Sequence, residues 1–238
     1  MNIKQLQQRL LGLELDLGPA GADGIYGSYT RRAVLAALTN VHANRIADID
    51  ILEAARDLGC KPEIIRAVLK VESNGNGFGP ESRPIILYEP HVFSRQSGHR
   101  FDNTHGGVSS KHWNRELYKK TQQGRYEQLL YAIGLDVDAA FQACSWGLFQ
   151  ILGENWALCG YESPWAMAWV MSRSEGDQLD GLVRFIQGNS LQSKLRACTT
   201  SPDQCIGFVR AYNGKNFRVN NYHVKLAAEI GRQMASAA

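Results

Sequence analysis

A chain of 238 residues has room for one medium domain and a small appendage, with a sizeable core in the larger part. Its 44% hydrophobic and 21% charged content is ordinary for a soluble globular protein, and a formal net charge of +3 favours approach to an anionic polymer without arguing for nucleic acid. No stretch approaches the ~18 apolar residues of a membrane span, so no stable membrane insertion is expected.

The opening residues form an amphipathic pattern without an apolar signal-peptide core, which predicts synthesis in the cytoplasm without a signal peptide. Residues 3–17 place Ile3, Leu6, Leu10 and Leu13 at helical spacing. A Gly/Pro/Asp-rich turn over 18–24 and then Ile25-Tyr26-Gly27 lead into a second helix. That helix has Thr30 near its start and Ala33, Val34, Ala37 and Leu38 on its buried side. By pattern alone this is a helical hairpin whose Asp23-Gly24 makes a turn. The polar run 39–50 predicts a linker, which divides the chain into a small module (1–40), a linker (41–50) and a larger domain (51–238). Asp50 is placed to cap a helix over 51–58, which Gly59 closes.

The next helix is predicted over 62–72, with Pro62 at a first helical position and Asn74-Gly75 as a stop. Ile65, Val68 and Leu69 mark its apolar face, and the next position on that face is Glu72. Desolvation and the negative end of the helix dipole both raise a carboxyl pKa there, as a general acid working near neutral pH requires. The plainer alternative is a glutamate turned to solvent from a fraying last turn.

Beyond it, residues 83–93 are the one convincing β-forming stretch, and they carry a second carboxylate, Glu89, between Tyr88 and Pro90. A strand-end salt bridge is the alternative for Glu89. The polar, Gly-rich run from Ser94 to Trp113 predicts a long loop. Helices are predicted over 114–134 and 136–144, and Ser145-Trp-Gly-Leu-Phe-Gln-Ile151 interrupts the pattern. Ser163-Pro164 opens a helix to about Gln187 with a break near Gly176. Ser201-Pro-Asp-Gln204 has capping-box spacing and starts a helix ending at Ala211-Tyr-Asn-Gly214. The last helix, 222–235, mixes Lys225, Glu229 and Arg232, which favours packing over membrane action.

The five cysteines lack CxxC pairs, so neither a disulfide framework nor a zinc site is predicted; Cys198 and Cys205 would pair only in an oxidising compartment. His91, His99, His105 and His112 lack HExxH or paired short spacing, which argues against a zinc amidase; no metal and no cofactor are expected. A raised-pKa glutamate beside a β segment and scattered aromatics instead suits cleavage of a glycosidic bond. Glu72 would protonate the leaving oxygen, and Glu89 would activate water or act as nucleophile. Tyr88, Phe93, Trp146 and Tyr212 offer flat faces for sugar rings, although aromatics in helical proteins are more often core.

Two resemblances sharpen this reading. Leu6-Gln7, Leu10, Asp23-Gly24-Ile25-Tyr26-Gly27, Thr30 and Ala33-Val34 resemble the small peptidoglycan-binding module found beside many cell-wall enzymes; Asp23, Gly24, Tyr26, Gly27 and Thr30 carry its motif. Val71-Glu72-Ser73, Gly77-Phe78, Ile86-Leu-Tyr-Glu-Pro-His91, Ser145-Trp-Gly-Leu-Phe-Gln-Ile151 and Tyr212-Asn-Gly214 resemble the N-acetylmuramidase domain of phage endolysins. That family is distantly related to goose-type lysozyme and the soluble lytic transglycosylases. The resemblance implies a mainly α, lysozyme-like domain with one small β element. It implies cleavage of the β-1,4 bond between N-acetylmuramic acid and N-acetylglucosamine in peptidoglycan glycan strands, by a monomer. Glu72 falls on the catalytic acid; Ser73, Tyr88, His91, Ser145, Trp146, Gln150, Tyr212 and Asn213 fall in the motifs around the cleft. It further implies action in the periplasm after holin-dependent release. Two rivals share these motifs: a lytic transglycosylase, which closes an anhydro ring instead of adding water, and a non-catalytic wall-binding protein.

Overall fold

A computed structural model describes residues 1–73 and 75–236, so Asn74 of the predicted helix stop lies outside the described residues. The first helix, α1 (Ile3–Gly12), is set by a reciprocal cap. Asn2 N–H donates to Gln5 Oε1 at 2.8 Å, and Gln5 N–H donates to Asn2 Oδ1 at 2.9 Å. It stops short of the predicted residue 17. Leu13, Leu15 and Leu17 alternate, a spacing that a continuing helix would spread over opposite sides, and the chain turns so that Leu17 enters the core.

Helix α2 (Ser28–Ala37) completes a hairpin organised by one buried amide. Gln7 donates to Asp23 Oδ1 (2.9 Å), to the Ile25 carbonyl (3.1 Å) and to Thr30 Oγ1 (3.0 Å), and its oxygen accepts from Gly24 N–H (2.7 Å). The Asp-Gly…Thr motif is therefore engaged in the hairpin's own frame. Tyr26 seats the hairpin on the larger body, where a Cβ at Gly134 would lie 2.8 Å from its ring.

The predicted linker is pinned along its length. Asn40 N–H donates to the Ser82 carbonyl (2.8 Å), and its side-chain amide to the Arg173 carbonyl (2.6 Å). The buried Glu175 takes Ile46 N–H on its carboxylate (3.4 Å) and gives its own N–H to the Asn44 carbonyl (2.9 Å). Helix α3 (Asp48–Leu58) begins before the predicted residue 51. Asp50 caps it from the third helical position, accepting from Ala47 N–H at 2.8 Å, and Gly59 closes it at φ 64° as predicted. Helix α4 (Pro62–Glu72) matches its predicted bounds and packs against α3.

The β element is a three-stranded antiparallel sheet, β1 (Ile86–Tyr88), β2 (Cys144–Trp146) and β3 (Ile151–Leu152), in that order. Ile86 faces Trp146, and Ser145 faces both Leu87 and Leu152. The predicted strand to Phe93 is cut at Tyr88 because Pro90 starts α5 (Pro90–Gln96), the first-turn role a proline favours. Residues 114–121 hold only a 3₁₀ turn, Arg115–Leu117, because Thr121 caps α6 (Gln122–Ile133) through Gly124 N–H. Helix α7 (Val137–Gln142) gives way to β2.

Helices α8 (Pro164–Met171) and α9 (Glu175–Gly188) are separated at Ser172–Ser174, ahead of Gly176, because Ser174 caps α9. A short α10 (Gln192–Arg196), not foreseen from sequence, precedes α11 (Pro202–Asn213) and α12 (Tyr222–Ser236). Ser201 makes no side-chain cap at α11. Helix α12 packs against both α4 and α11, which brings the end of one helix and the start of another beside Glu72. The five cysteines are free thiols, with Cys198 and Cys205 both buried.

Candidate active site

Glu72, at the last position of α4, lies in the wall of a cavity of about 370 Å³. The turn joining β2 to β3 supplies Phe149, Gln150, Ile151 and Leu152, and Asn155 follows. Helix α9 gives Phe185, α11 gives Tyr212 and Asn213, and α12 gives Tyr222. Among the described residues lining this wall, Glu72 is the one carboxylate.

Asn213 donates its side-chain amide to Glu72 Oε1 at 2.9 Å, which leaves Oε2 for a proton. Burial pushes the Glu72 carboxyl above its ordinary range. The Asn213 amide and the Lys225 ammonium on α12 pull the other way without cancelling it. The Tyr212 phenol is pushed up by burial and by the charge of Glu72. Its ring is fixed by Phe208, stacked at 5.7 Å and 16°, and by the edge of Phe185 at 5.7 Å and 88°.

The β2–β3 turn is held from behind. Gln178 of α9 is buried; its oxygen accepts from Leu148 N–H at 2.7 Å, and its nitrogen donates to the carbonyls of Met171 (2.9 Å) and Gly77 (3.4 Å). Gly147 takes φ 68°, and a Cβ there would lie 2.5 Å from the Gln178 amide carbon, so this position needs glycine on both counts. Gln150 adopts φ 52° and ties the wall to the start of β1, donating to the carbonyls of Ile85 (3.1 Å) and Gly147 (2.8 Å). A non-glycine residue in the left-handed region at a cavity wall is strain of the kind that collects at functional sites.

Of the residues the sequence proposes for this cleft, Glu72, Gln150, Tyr212 and Asn213 meet in the wall. Glu89 does not. It sits four residues beyond Ile85, roughly 13 Å along extended chain, where its N–H donates to the Ala143 carbonyl at 2.8 Å. There it accepts from the Tyr118 hydroxyl, with His91 Nδ1 at 3.5 Å. His91 thus belongs to the Glu89–Tyr118 cluster and not to the cavity.

Tyr88 and Trp146 are fully buried and have no face to offer a sugar. Tyr88 donates its hydroxyl to the Val108 carbonyl at 3.0 Å, and Trp146 its indole N–H to the Phe141 carbonyl at 3.2 Å. Ser145 lies between two strands, and Ser73 caps α4; neither lines the cavity. The histidines are held singly: His99 by Ser94 (2.8 Å) and Asp102 (3.2 Å), His105 by the Tyr131 hydroxyl (2.9 Å).

Sequence reasoning missed Asn155, Phe185 and Tyr222. Phe185 reads as one more apolar position of a periodic helix, and nothing local marks the other two. In the N-terminal hairpin, Asp23, Gly24 and Thr30 serve Gln7 and Tyr26 is packed inward, while Gly27 takes extended backbone as the N-cap of α2.

Residues 61–233 match the profile of the N-acetylmuramidase family. The chain is also similar to the crystal structure of Burkholderia AP3 phage endolysin. The identity is 30% and the TM-score 0.76, over 99% of this chain and 95% of that one. No curated protein matches it. The family match begins at Lys61, so the hairpin is covered by the structural likeness alone.

Proposed function

The chain belongs to the N-acetylmuramidase family, and from that premise we propose that it is an endolysin that cleaves the β-1,4 bond between N-acetylmuramic acid and N-acetylglucosamine, with Glu72 as general acid. The observation that carries this reading is a lone carboxylate whose burial raises its pKa inside a cavity walled by aromatics and amides. A neutral Glu72 gives its proton to the glycosidic oxygen as the bond to the sugar C1 breaks. The carboxylate so formed is held by the Asn213 amide and by the field of Lys225, both of which favour the charged form. The same groups that limit the rise in pKa therefore stabilise the product of proton transfer.

A retaining double displacement needs a second carboxylate about 5–5.5 Å away, which this wall does not supply. The reading is attack by water at C1 once the leaving group has departed, with the Glu72 carboxylate formed in the first step taking the water's proton, and the product carries one water more than a transglycosylase product. Mass spectrometry of digested peptidoglycan decides the point: an anhydro product as the main species assigns the same acid to a transglycosylase instead. The lone carboxylate is what keeps that second reading in play, because an intramolecular hydroxyl also needs no second carboxylate. No described helix is long and apolar enough to cross a membrane, and release to the periplasm is assigned to a separate pore.

The pH profile follows from the causes of the Glu72 shift. The acid works only while protonated, so the rate falls as pH rises through its pKa. Lys225→Gln removes a cation that lowers that pKa, so the alkaline limb of kcat/KM moves to higher pH. Lys225 is exposed, so the displacement shrinks as salt is raised. A limb that stays in place at low salt means that some other group titrates.

A further inference from the structure

Asp23, Gly24 and Thr30 of the hairpin are bonded to Gln7 in its own frame, while other side chains of α1 face a separate groove. A groove of about 620 Å³ runs between α1 and the segment Trp156–Pro164 of the larger body, within the size range of ligand pockets. From α1 it presents Gln5, Gln8 and Arg9, all exposed; from the body, a partly exposed Trp156 and an exposed Glu162. The groove and the catalytic cavity are separate but lined by neighbours in the chain: Asn155 lines the cavity and the next residue, Trp156, lines the groove.

We propose that this groove is a second glycan-binding site that takes the peptidoglycan strand beside the bond being cleaved. Trp156 provides the face for a sugar ring, the Gln8 amide and the Gln5 amide nitrogen pair with hydroxyl and N-acetyl groups, and Arg9 takes a carboxylate of the stem peptide. An indole suits the C–H face of a pyranose, side-chain amides match neighbouring polar groups, and a guanidinium is the natural partner of a carboxylate. Glu162, across the groove, complements the ammonium of a diamino acid in the same stem. The site exists only because the hairpin is docked; neither part builds it alone. The inference rests on the reading of Glu72 and deepens it, extending substrate recognition across the joint.

The test uses the full-length chain in the Glu72→Gln background, measuring co-sedimentation with purified sacculi. Trp156→Ala weakens binding about 2- to 10-fold, the range of one aromatic contact. Arg9→Ala weakens binding to intact sacculi, Arg9→Lys restores part of it, and the Arg9 effect disappears on glycan strands stripped of stem peptides. With Glu72 intact, both substitutions reduce turnover of sacculi by a larger factor than turnover of short soluble glycan fragments. Should Trp156→Ala fail to fold, Gln8→Ala with Arg9→Ala, both on an exposed helix face, decide alone. Groove variants that bind sacculi as tightly as their parent overturn the site while leaving Glu72 untouched. A Glu72→Gln parent that still cleaves peptidoglycan overturns the acid instead.

Discussion

Glu72→Gln is expected to lower peptidoglycan cleavage by about 10²–10⁴-fold and, in the same protein, to raise the melting temperature. The sign of the second effect follows from the pKa. Burial lifts the Glu72 carboxyl in the folded state, so between its unfolded and folded pKa values the native state holds more protons than the unfolded one. Stability contributed by this residue is therefore lost as pH rises through that window, and above it the ionised carboxylate destabilises the fold. A neutral amide of the same shape removes the penalty and can still meet Asn213. The gain is on the order of 0.5–2 kcal/mol, the usual size of a single stabilising substitution, and each kcal/mol shifts a domain of this size by about 2–4 °C. Calorimetry at pH 7 and at acid pH checks the argument: the difference between variant and parent must shrink as the parent's Glu72 becomes protonated. A variant that is inactive but equally less stable at both pH values would mark Glu72 as a structural residue.

The second large effect is expected away from the cavity. Gln178→Leu keeps the volume of a buried side chain but leaves the Leu148 N–H and the Met171 carbonyl without partners. A buried polar group left unmet costs about 1–3 kcal/mol, so the pair amounts to about 2–6 kcal/mol. At 2–4 °C per kcal/mol that is a fall of about 4–24 °C. Activity should fall further than stability predicts at a temperature where the variant remains folded. The turn that Gln178 holds carries Phe149, Gln150 and Ile151 into the cavity wall. Gln178→Glu retains an acceptor for Leu148 N–H but loses both donors, and should lie between parent and leucine. Chemical denaturation alongside turnover of a soluble substrate separates the two contributions.

How much of this was legible beforehand depends on the distance over which each feature is determined. Gly59, Pro62 and the bounds of α4 are fixed by local chain chemistry, and so is the position of Glu72 on its helix. The Tyr212-Asn-Gly turn was legible as a motif, and Asn213 meets Glu72 across 141 residues. The segment Ile86–His91 misled because a β-forming sequence next to an acid looks like one wall of a cleft. Strand pairing with Cys144–Trp146 instead turns Tyr88 and Trp146 into core and carries Glu89 to the far end of the sheet. Strands β2 and β3 are two or three residues long and exist only through their partners, which no local pattern reports. Gln178 looks like a solvent-facing residue of an amphipathic helix, and only the folded chain shows that its amide is a bracket between three backbone segments.

The pinned segment 39–50 also bears on chimeras between related chains. Exchanging the N-terminal hairpin looks like a simple cut at a polar spacer. Yet Asn40 answers the carbonyls of Ser82 and Arg173, and Asn44 and Ile46 answer Glu175. Glu175 also takes the N–H of Gly77, five residues past Glu72, at 2.8 Å. A splice within this stretch would disturb the backbone that follows the α4 carboxylate, even though the junction lies some thirty residues earlier in sequence. A graft that moves residues 1–50 as one piece, with the donor's counterparts of Asn40, Asn44 and Ile46 matched to Ser82, Arg173 and Glu175, keeps the seam intact.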